Sequence, residues 1–490
     1  MIDRRKQGVV TVAVLAIDVA RPLESLDLSE LVELSRDFTR EQNLAAVARL
    51  DAVFAMVEVV SRRERIRRGE GEVAGREPGP EYAQLEPARL VRSHVTTAMG
   101  VPAWHAGRLV TAAVQMRTRL RRLSRHAREG VLDEGLIVDL ACKLAKVPDR
   151  LLDAVEEEVL TGIRRQLDAG DPPTRGSLGE RIDRAMERRD RDELDRQHEQ
   201  AREERRVSFR PRGQGMSSMW ALLPTEDAAA LEQRLRAAAA ADTEPGDPRT
   251  DAQRLADALA GLGEAQPAPP GATEFGATEF GAGTAAGSGP AARSSRRPRL
   301  EVTVIASAAL GLPERVEFVR GAYSSFDWLC SQVLAEENGG ARFRMIDPLP
   351  GAQDSEQDPL RYFLSEAIKR RIRLRDGTCR HPGCKVKAED CEIDHVLAFC
   401  KPDPARGGPS AEWNLVCLCK NHHLEKTFGP WTYLPGPRGD GELIILTETG
   451  HEYRTYPDGM LARARRQLDE VHVISRLTQY FSVERHPRDG

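Results

Sequence analysis

Two closely spaced pairs of metal-ligand residues in the last quarter of the chain limit its fold more than any other feature. Cys379 and Cys384 form the first pair. Cys419 and His422 form the second, with the two-residue spacing that lets both side chains reach one ion. Six of the eight cysteines fall in this interval, which indicates metal binding in a reducing cytoplasm rather than a disulfide framework. We therefore predict a closed structural Zn²⁺ site that holds together a small, loop-rich unit.

Three further cysteines of the same interval, Cys391, Cys400 and Cys417, remain after these pairs are formed. Cys417 is two residues from Cys419 and would share its face of a strand, so it stays open as a competing ligand. We interpret all three as small packed residues.

A set of polar residues of a different kind is interleaved with the cysteines. Asp394 and His395 are adjacent, Asn414 follows them, and His423 comes directly after the zinc-ligand histidine. A carboxylate, two imidazoles and an amide in one small unit are what metal-assisted phosphodiester hydrolysis requires. A divalent cation offsets charge on the phosphate and the leaving oxygen, while an imidazole deprotonates the attacking water.

The order of these residues resembles the HNH endonuclease domain in its zinc-stabilised form. More narrowly, the chain resembles a bacterial family in which that domain follows a long helical region of unknown function. The less specific segments GMSSMWALLPTEDAAALEQRL and RTDAQRLADALAGL extend the resemblance over most of residues 35–435. The motif positions that carry it are Arg375, Asp376, Cys379, Pro382, Gly383, Cys384, Asp394, His395, Gly407, Gly408, Pro409, Asn414, Leu415, and Leu418 to His423.

This resemblance implies a small α+β domain of the zinc-stabilised ββα-metal (His-Me finger) fold that acts on DNA. It implies that His395 is the general base near neutral pH. It further implies that Asp394 and His423 bind a catalytic Mg²⁺ or Mn²⁺. Asn414 would pin the preceding loop by hydrogen bonds and hold His395 in orientation, with an ordinary turn asparagine as the alternative.

Two details of the motif bear on the catalytic site. In regular strand geometry Asp394 and His395 point to opposite faces, so both serve one site only at a strand end or bulge. Thr427 stands where many relatives carry a further histidine, which puts a third protein ligand in question. Lys426 matches a lysine common in related modules and is a candidate phosphate contact.

Any contact with DNA must come from a local basic surface, because the net charge of −4 and the pI near 6.3 give no global signal for nucleic acid. We expect a helix over 359–375 with Leu360, Phe363 and Ile372 among its inward residues. We favour DNA-backbone contact over a merely solvated face for its cations, because the helix abuts the metal motifs. These cations are Lys369, Arg370, Arg371, Arg373 and Arg375.

The length of 490 residues predicts two or three domains. We expect a mostly helical domain over 1–264 and a disordered linker rich in Gly, Ala, Pro and Ser over 265–299. A connecting strand and helix region with the basic helix would occupy 300–374. The nuclease-like domain with its zinc site would occupy 375–435, followed by a C-terminal hairpin and helix over 436–490.

The helical part carries clear periodicity from Leu28 to Arg68, where apolar residues recur at three- and four-residue spacings. The charged stretch Arg181–Arg206 is predicted as one long exposed helix. Further elements are predicted as a hairpin over 207–223, a helix from 224–227 to about Ala241, a helix through Leu262 that Thr250 or Asp251 caps, a strand over 300–307, a helix over 326–336, a hairpin over 441–456, and a helix over 461–483.

The N-terminus faintly resembles a signal peptide, with Arg4, Arg5 and Lys6 before the apolar run 8–17. Asp18 ends that run and no clear cleavage site follows, so a short buried strand or an over-extended start is favoured. No stretch approaches 18 uninterrupted apolar residues, so we expect no membrane span and a cytoplasmic protein.

Two alternatives to the nuclease stay open. The first is a catalytically inactive zinc-containing module that binds DNA or directs assembly, for instance in a mobile element. The second is that the helical region is the working part and binds a partner. A homodimer also stays open, because one active site per chain needs two copies or two events for a double-strand cut.

Overall fold

The computed structural model describes residues 23–67, 85–213, 215–242, 247–262, 300–305, 315–317, 323–325, 341–349 and 357–470. These residues form two compact units. The first contains the described parts of Met1–His198 and Gln353–Ala462, and the second contains those of Glu199–Ala352 and Arg463–Gly490. The predicted strand over 8–17, linker over 265–299 and helix over 326–336 lie outside the described residues.

The N-terminal part of the first unit is built from helices whose apolar faces meet in one core. Leu50, Val110, Leu140 and Val155 lie in this core and are almost fully buried. Helix α1 ends one residue before the predicted limit of its periodic stretch. The helices are α1 (Leu28–Arg67), α2 (Pro87–Met99), α3 (Ala103–Thr118), α4 (Arg121–Ala127), α5 (Glu134–Leu144), α6 (Asp149–Asp168), α7 (Leu178–Glu187) and α8 (Arg191–Arg202).

The charged stretch 181–206 is not the single exposed helix that its composition predicts. It is interrupted between α7 and α8, and it buries Ile182, Met186 and Leu194. Ile182 and Met186 are four residues apart, so they lie on one face of α7 and join the core of the bundle. A few apolar residues at helical spacing outweigh a mostly charged composition here.

The second unit contains a two-stranded ribbon, two helices and short strand pairs. The ribbon pairs β1 (Arg206–Gly213) with β2 (Met216–Leu222), and Gly213 and Gly215 at its turn both adopt positive φ. Helix α9 (Thr225–Ala241) is followed by α10 (Asp251–Gly261), which Thr250 caps together with Gln253 in a capping box. The remaining strands are β3 (Leu300–Ile305), parallel to β6 (Ala341–Ile346), and β4 (Arg315–Glu317), antiparallel to β5 (Tyr323–Ser325).

The cysteine-rich part of the first unit consists of short elements around a second core. Helix α11 (Glu366–Asp376) begins seven residues later than predicted, because Ser365 caps it by accepting a hydrogen bond from the Ile368 amide. Leu360 and Phe363, which were expected to point inward, are exposed. The other elements are β7 (Glu392–His395), β8 (Leu415–Leu418), α12 (Lys420–Phe428), β9 (Thr432–Pro435), β10 (Leu443–Leu446), β11 (Glu452–Thr455) and the helix α13 over 460–470, whose last eight residues belong to the second unit.

Two small antiparallel sheets organise this part. β7 pairs with β8, and β10 lies between β9 and β11. The chain passes from β8 through Cys419 into α12, so the β7–β8 pair is followed directly by a helix. The expectation of a mainly helical N-terminal region with small sheets in the C-terminal part is confirmed.

The helices and the cysteine-rich part pack against each other within the first unit. Leu424 and Phe428 of α12 pack on the helical core. The Ala103 amide donates a hydrogen bond of 3.2 Å to the Gly383 carbonyl. Gly383 has φ +68°, and a Cβ there would lie 2.4 Å from Thr96 Cγ2. The cysteine-rich part is therefore seated on α2 and α3 through a backbone contact that only glycine permits.

No helix among the described residues is long and apolar enough to cross a membrane.

Candidate metal centre and adjoining polar site

The two sequence pairs converge on one point. The ligand atoms of Cys379, Cys384, Cys419 and His422 all lie within 4.8 Å of one another, and all four residues are buried. His422 Nδ1 lies 3.4 Å from Cys379 Sγ and 3.3 Å from Cys419 Sγ. Around a tetrahedral Zn²⁺ the sulfur–nitrogen separation is about 3.6 Å. The cluster could therefore hold a metal ion without rearrangement.

Local structure explains why these four residues meet. Cys419 is the N-cap residue of α12 and His422 lies in the first turn, so their two-residue spacing places both side chains at the helix start. Cys379 and Cys384 flank a tight turn that follows α11, and the Cys379 amide bonds to the Val386 carbonyl at 2.8 Å. The short β7–β8 pair and the turn thus bring the first pair under the start of α12.

Crowding of three thiols and an imidazole changes their proton affinities. The hydrogen bond to Cys379 raises the pKa of Cys384, whereas hydrogen bonds from Cys379 and Cys384 lower the pKa of Cys419 well below its usual range. Thiolates that lie this close together in a buried space repel one another. A divalent cation bound between them would offset their negative charge and stabilise the deprotonated form. The donor set of three sulfurs and one imidazole fits Zn²⁺.

The leftover cysteines lie outside this cluster. Cys417 is fully buried in β8, and its amide donates a hydrogen bond of 2.8 Å to Asp376 Oδ2. Cys391 is buried and Cys400 is partly exposed. Among the described residues the metal-ligand cluster includes none of the three.

A neighbouring trio of His381, His422 and Glu425 also brings its ligand atoms within 4.8 Å. The two imidazole rings stack with centroids 3.9 Å apart and planes 11° from parallel. The lone pair of each ring nitrogen lies in its own ring plane, and two stacked planes that are nearly parallel do not meet at one ion about 2.1 Å from both nitrogens. We therefore assign no second ion there.

Glu425 is the buried carboxyl group of this trio. It is completely buried, and burial raises the pKa of its carboxyl group. His422 directs Nδ1 at the cysteines, and among the described residues no hydrogen bond joins its other ring nitrogen to Glu425.

The second predicted site lies on the other side of α12. Asp394 Oδ1 is 3.6 Å from His423 Nε2, and His423 Nδ1 is hydrogen-bonded to the Glu392 carboxylate. Lys426 Nζ lies 2.9 Å from Asp394 Oδ2 and donates a hydrogen bond of 2.8 Å to the His395 carbonyl. Asp394 Oδ2 is buried, with the Lys426 ammonium as its close partner, and Asp394 Oδ1 accepts a hydrogen bond of 2.9 Å from the His395 amide. A carboxylate oxygen and an imidazole nitrogen at this separation fit a divalent cation with oxygen and nitrogen ligands.

Thr427 adds no ligand to this site. Its hydroxyl is exposed and donates to the His423 carbonyl at 2.9 Å, which is an ordinary helix contact.

His395 is the last residue of β7, the strand end that a shared site with Asp394 requires. Its Nε2 lies 2.8 Å from Ser410 Oγ, and the Tyr362 ring stacks on its imidazole with centroids 5.9 Å apart. Burial lowers the pKa of His395, Asp394 acts to raise it, and Lys426 lowers it further. The net lowering favours the neutral imidazole, which is the form that can accept a proton.

Asn414 pins two backbone segments together, as the resemblance implies. It is fully buried. Its Oδ1 accepts from the Leu397 amide at 2.8 Å, and its Nδ2 donates to the carbonyls of Leu397 at 3.1 Å and Pro409 at 2.9 Å. The segment that leaves β7 after His395 is thereby joined to the loop that carries Ser410.

The basic helix α11 is only partly available for DNA. Arg371 is buried and pairs with Glu412 Oε2 at 2.8 Å. Arg375 is buried, pairs with Asp376 at 2.8 Å and donates to the Leu415 carbonyl at 2.6 Å. The side chains of these two arginines lie on the inward face of α11, whereas the sequence predicts them on its outer face. They therefore stabilise the fold instead of facing DNA. Lys369, Arg370 and Arg373 are partly exposed.

Sequence reasoning missed three neighbours of the site, namely Glu392, Ser410 and Tyr362. The signal for Glu392 was strand alternation, since it precedes Asp394 by two residues and therefore shares its face. Ser410 and Tyr362 reach His395 through loops, and no sequence period indicates such contacts.

Comparisons with known proteins identify the helical region but not the metal-binding part. The family described as "Domain of unknown function (DUF222)" matches residues 40–307. This confirms the resemblance to a family with a helical region of unknown function. The match ends before the cysteine-rich segment, so the HNH assignment stays a prediction.

Curated relatives carry no assigned activity. The chain is 34% identical over 272 residues to the uncharacterized protein Rv3776 of Mycobacterium tuberculosis, with 50% of this chain and 48% of the relative covered. It is also 34% identical over 274 residues to the uncharacterized protein Rv2100 of that species, with 50% and 47% covered. The chain spans about half the length of the curated relatives it matches. No solved structure matches.

Proposed function

We propose that this chain, which belongs to the DUF222 family, hydrolyses DNA phosphodiester bonds as a metal-dependent HNH endonuclease of the ββα-metal fold. One observation carries the proposal. The β7–β8 pair and α12 place Asp394 and His423 3.6 Å apart, with His395 at the adjoining strand end and a buried cluster of three cysteines and a histidine behind them. Hydrophobic packing does not require either site, because each brings several polar side chains together in a buried or partly buried position.

His395 is the group that activates water in this scheme. Its Nε2 is engaged by Ser410 Oγ, so Nδ1 is the nitrogen left to accept the proton of the attacking water. The water oxygen forms a bond to phosphorus as the bond from phosphorus to the leaving oxygen breaks. Tyr362 covers the imidazole ring, which limits its rotation.

Other side chains hold this base in place. Asn414 joins the segment after His395 to the loop that carries Ser410, and Lys426 donates a hydrogen bond to the His395 carbonyl oxygen. Asp394 and His423 are the residues that would bind a divalent cation such as Mg²⁺ or Mn²⁺. When bound, that cation would offset negative charge on the phosphate and on the leaving oxygen. Zn²⁺ at the cysteine cluster would have a structural role only.

One observation favours the alternative of a module that binds DNA without cutting it. The Lys426 ammonium lies 2.9 Å from Asp394 Oδ2 and supplies positive charge where the catalytic cation would bind. Thr427 supplies no compensating ligand. In that alternative the zinc cluster and the basic residues persist, and the protein has no requirement for Mg²⁺ or Mn²⁺.

Cleavage of supercoiled plasmid by the full-length protein, with zinc retained, tests the proposal. The wild type would be compared with His395→Ala in the presence of Mg²⁺, Mn²⁺ or Ni²⁺. His451→Ala is a matched control, because this histidine lies in the turn between β10 and β11. We expect cation-dependent nicking that His395→Ala abolishes and His451→Ala retains, with equal zinc content in all three proteins. Binding of plasmid without nicking under any cation would instead support the alternative.

A further inference from the structure

The loop that precedes α11 exposes three large apolar side chains next to the candidate base. Phe363 is 75% exposed, Leu360 54% and Tyr362 42%. A single exposed apolar residue needs no explanation, but three within four positions form a patch that water solvates poorly. We call Leu360, Tyr362 and Phe363 the aromatic loop.

The aromatic loop is held rigidly rather than left loose. Gln357 Nε2 donates to the carbonyls of Arg361 at 3.3 Å and Phe363 at 3.2 Å, and Gln357 Oε1 accepts from the Ser365 amide at 2.8 Å. The Pro359 carbonyl accepts a hydrogen bond of 2.8 Å from the Ser410 amide. The aromatic loop is therefore ordered by hydrogen bonds, and one of them joins it to Ser410, the residue that contacts His395.

Its position relative to His395 is set by ring contacts. The Tyr362 ring lies 5.9 Å from His395 and 5.6 Å from Phe363, which places the Phe363 ring no more than about 11.5 Å from the imidazole. Stacked nucleotides of one strand are about 3.4 Å apart along its axis, and an unstacked strand spaces them more widely. A base on Phe363 would therefore belong to a nucleotide within about three positions of the scissile phosphate.

Cations border the aromatic loop. Lys401 is exposed and its Nζ lies 4.2 Å from the centre of the Tyr362 ring, while Arg361 is exposed within the loop itself. Two carboxylates of the same segment are already engaged: Asp358 accepts a hydrogen bond of 2.9 Å from the Leu360 amide, and Glu366 pairs with Lys369 at 2.7 Å. Exposed aromatic rings bordered by positive charge are the combination that binds unpaired nucleotides, since the rings stack on bases and the cations attract the backbone.

We propose that the aromatic loop stacks an unpaired base and thereby makes single-stranded DNA, or a single-stranded segment of a larger DNA, the substrate of this site. The inference rests on the proposed function in taking DNA as the substrate. A duplex does not fit the platform, because the faces of its bases are covered by their neighbours and only their edges are open. Lys401 covers one face of Tyr362, so Phe363 presents the ring that is free for stacking.

Binding without cleavage tests this proposal. The full-length, zinc-loaded protein, with no added Mg²⁺ or Mn²⁺, would be titrated into a fluorescein-labelled single-stranded oligonucleotide and into its duplex. Fluorescence anisotropy would be compared among wild type, Phe363→Ala, Phe363→Tyr and Phe38→Ala. Phe38 is a matched control because it is 44% exposed on α1, outside the site. Circular dichroism and zinc content would verify the fold of each variant.

We expect the wild type to prefer the single strand and Phe363→Ala to weaken that binding about tenfold. Phe363→Tyr restores it, Phe38→Ala leaves it unchanged, and duplex affinity is the same for all four proteins. An equal loss on both DNAs, or no loss on either, overturns the proposal. So does a Phe363→Ala variant that turns a dimer into a monomer in light scattering while its single-strand affinity is unchanged.

This titration and the plasmid assay together separate the inference from the nuclease proposal. A protein that prefers the single strand through Phe363 but never nicks DNA would refute the nuclease and support the platform. A protein that nicks duplex plasmid at the same rate with and without Phe363, and shows no single-strand preference, would refute only the platform.

Discussion

Glu392 is hydrogen-bonded to His423 Nδ1, while the opposite ring nitrogen, Nε2, lies 3.6 Å from Asp394 Oδ1. The imidazole is thus held between two carboxylates of β7, one at each nitrogen. The hydrogen bond to the Glu392 carboxylate fixes the orientation of the ring and therefore which nitrogen faces Asp394. Glu392 therefore acts as a positioning residue for the proposed catalytic cation.

We expect Glu392→Ala to weaken Mn²⁺ binding by about 10- to 100-fold, the range seen when such orienting partners of metal ligands are removed. Electron paramagnetic resonance of free Mn²⁺ measures this affinity directly and does not depend on turnover. Asp390→Asn, an exposed carboxylate of the same segment, is the control and should bind Mn²⁺ normally. Equal affinity in Glu392→Ala and wild type would show that the contact orients nothing.

The cysteine cluster should bind one Zn²⁺ per chain, because its four ligand atoms surround a single point. We expect Cys419→Ser to lose this zinc and the thermal stability that depends on it. Cys417→Ala should retain the metal, because Cys417 lies outside the cluster. Elemental analysis and thermal unfolding before and after chelation measure both quantities. Zinc loss in Cys417→Ala alone would reassign the ligand set.

Sequence spacing anticipated the parts of this protein that obey local rules. The two-residue interval between Cys419 and His422 corresponds to one helix turn, and the periodicity after Leu28 corresponds to α1. Thr250 caps its helix as its residue type suggests. Each of these features depends on residues that are only a few positions apart, and such local spacing can be read from a single sequence.

Features that depend on distant partners were not accessible in this way. Arg371 and Arg375 look like surface cations, yet Glu412 and the Leu415 carbonyl, some forty positions away, satisfy them in the interior. The predicted helix over 359–375 includes Tyr362, whereas the Ser365 cap starts α11 later and leaves the Tyr362 ring stacked on His395. Buried polar groups are placed by the partner that satisfies them, and one sequence does not identify that partner.

Asn414 should matter for stability as well as for the site. Asn414→Ala removes the side-chain partner of the Leu397 amide and of the Pro409 carbonyl, both in a partly buried position. We expect a loss of about 1–3 kcal/mol in the free energy of unfolding, since an unsatisfied buried group costs about 1–3 kcal/mol and water can reach part of this position. Urea unfolding of the full-length protein measures it, with Asn421→Ala as control because Asn421 is partly exposed on α12. A cost equal to that of the control would mean that the loop finds other bonds.

Glu448 makes the packing of the helices on the cysteine-rich part depend on pH. It lies between β10 and β11 and bonds to His94 of α2 at 3.0 Å and to Arg63 of α1 at 2.8 Å. Burial acts to raise the pKa of Glu448, but the hydrogen bonds from His94 and Arg63 outweigh it and lower the pKa to about 2. Because the folded pKa lies below the usual value near 4.5, the stabilisation is complete above about pH 4.5 and is lost as the pH falls toward 2.

At about 1.36 kcal/mol per pKa unit the shift corresponds to roughly 3 kcal/mol, which solvent screening at this partly exposed site reduces to about 2 kcal/mol. Glu448→Gln removes the charge and should lower stability by that amount at neutral pH. The difference between wild type and Glu448→Gln should shrink as the pH is lowered from about 4.5 to about 3, because the carboxylate of the unfolded wild-type chain then takes up a proton while that of the folded chain stays charged. Urea unfolding of both proteins across this range measures the difference, and loss of zinc at low pH affects both alike. If the difference in the free energy of unfolding between the two proteins does not change with pH, Glu448 stabilises the contact through packing rather than through its charge.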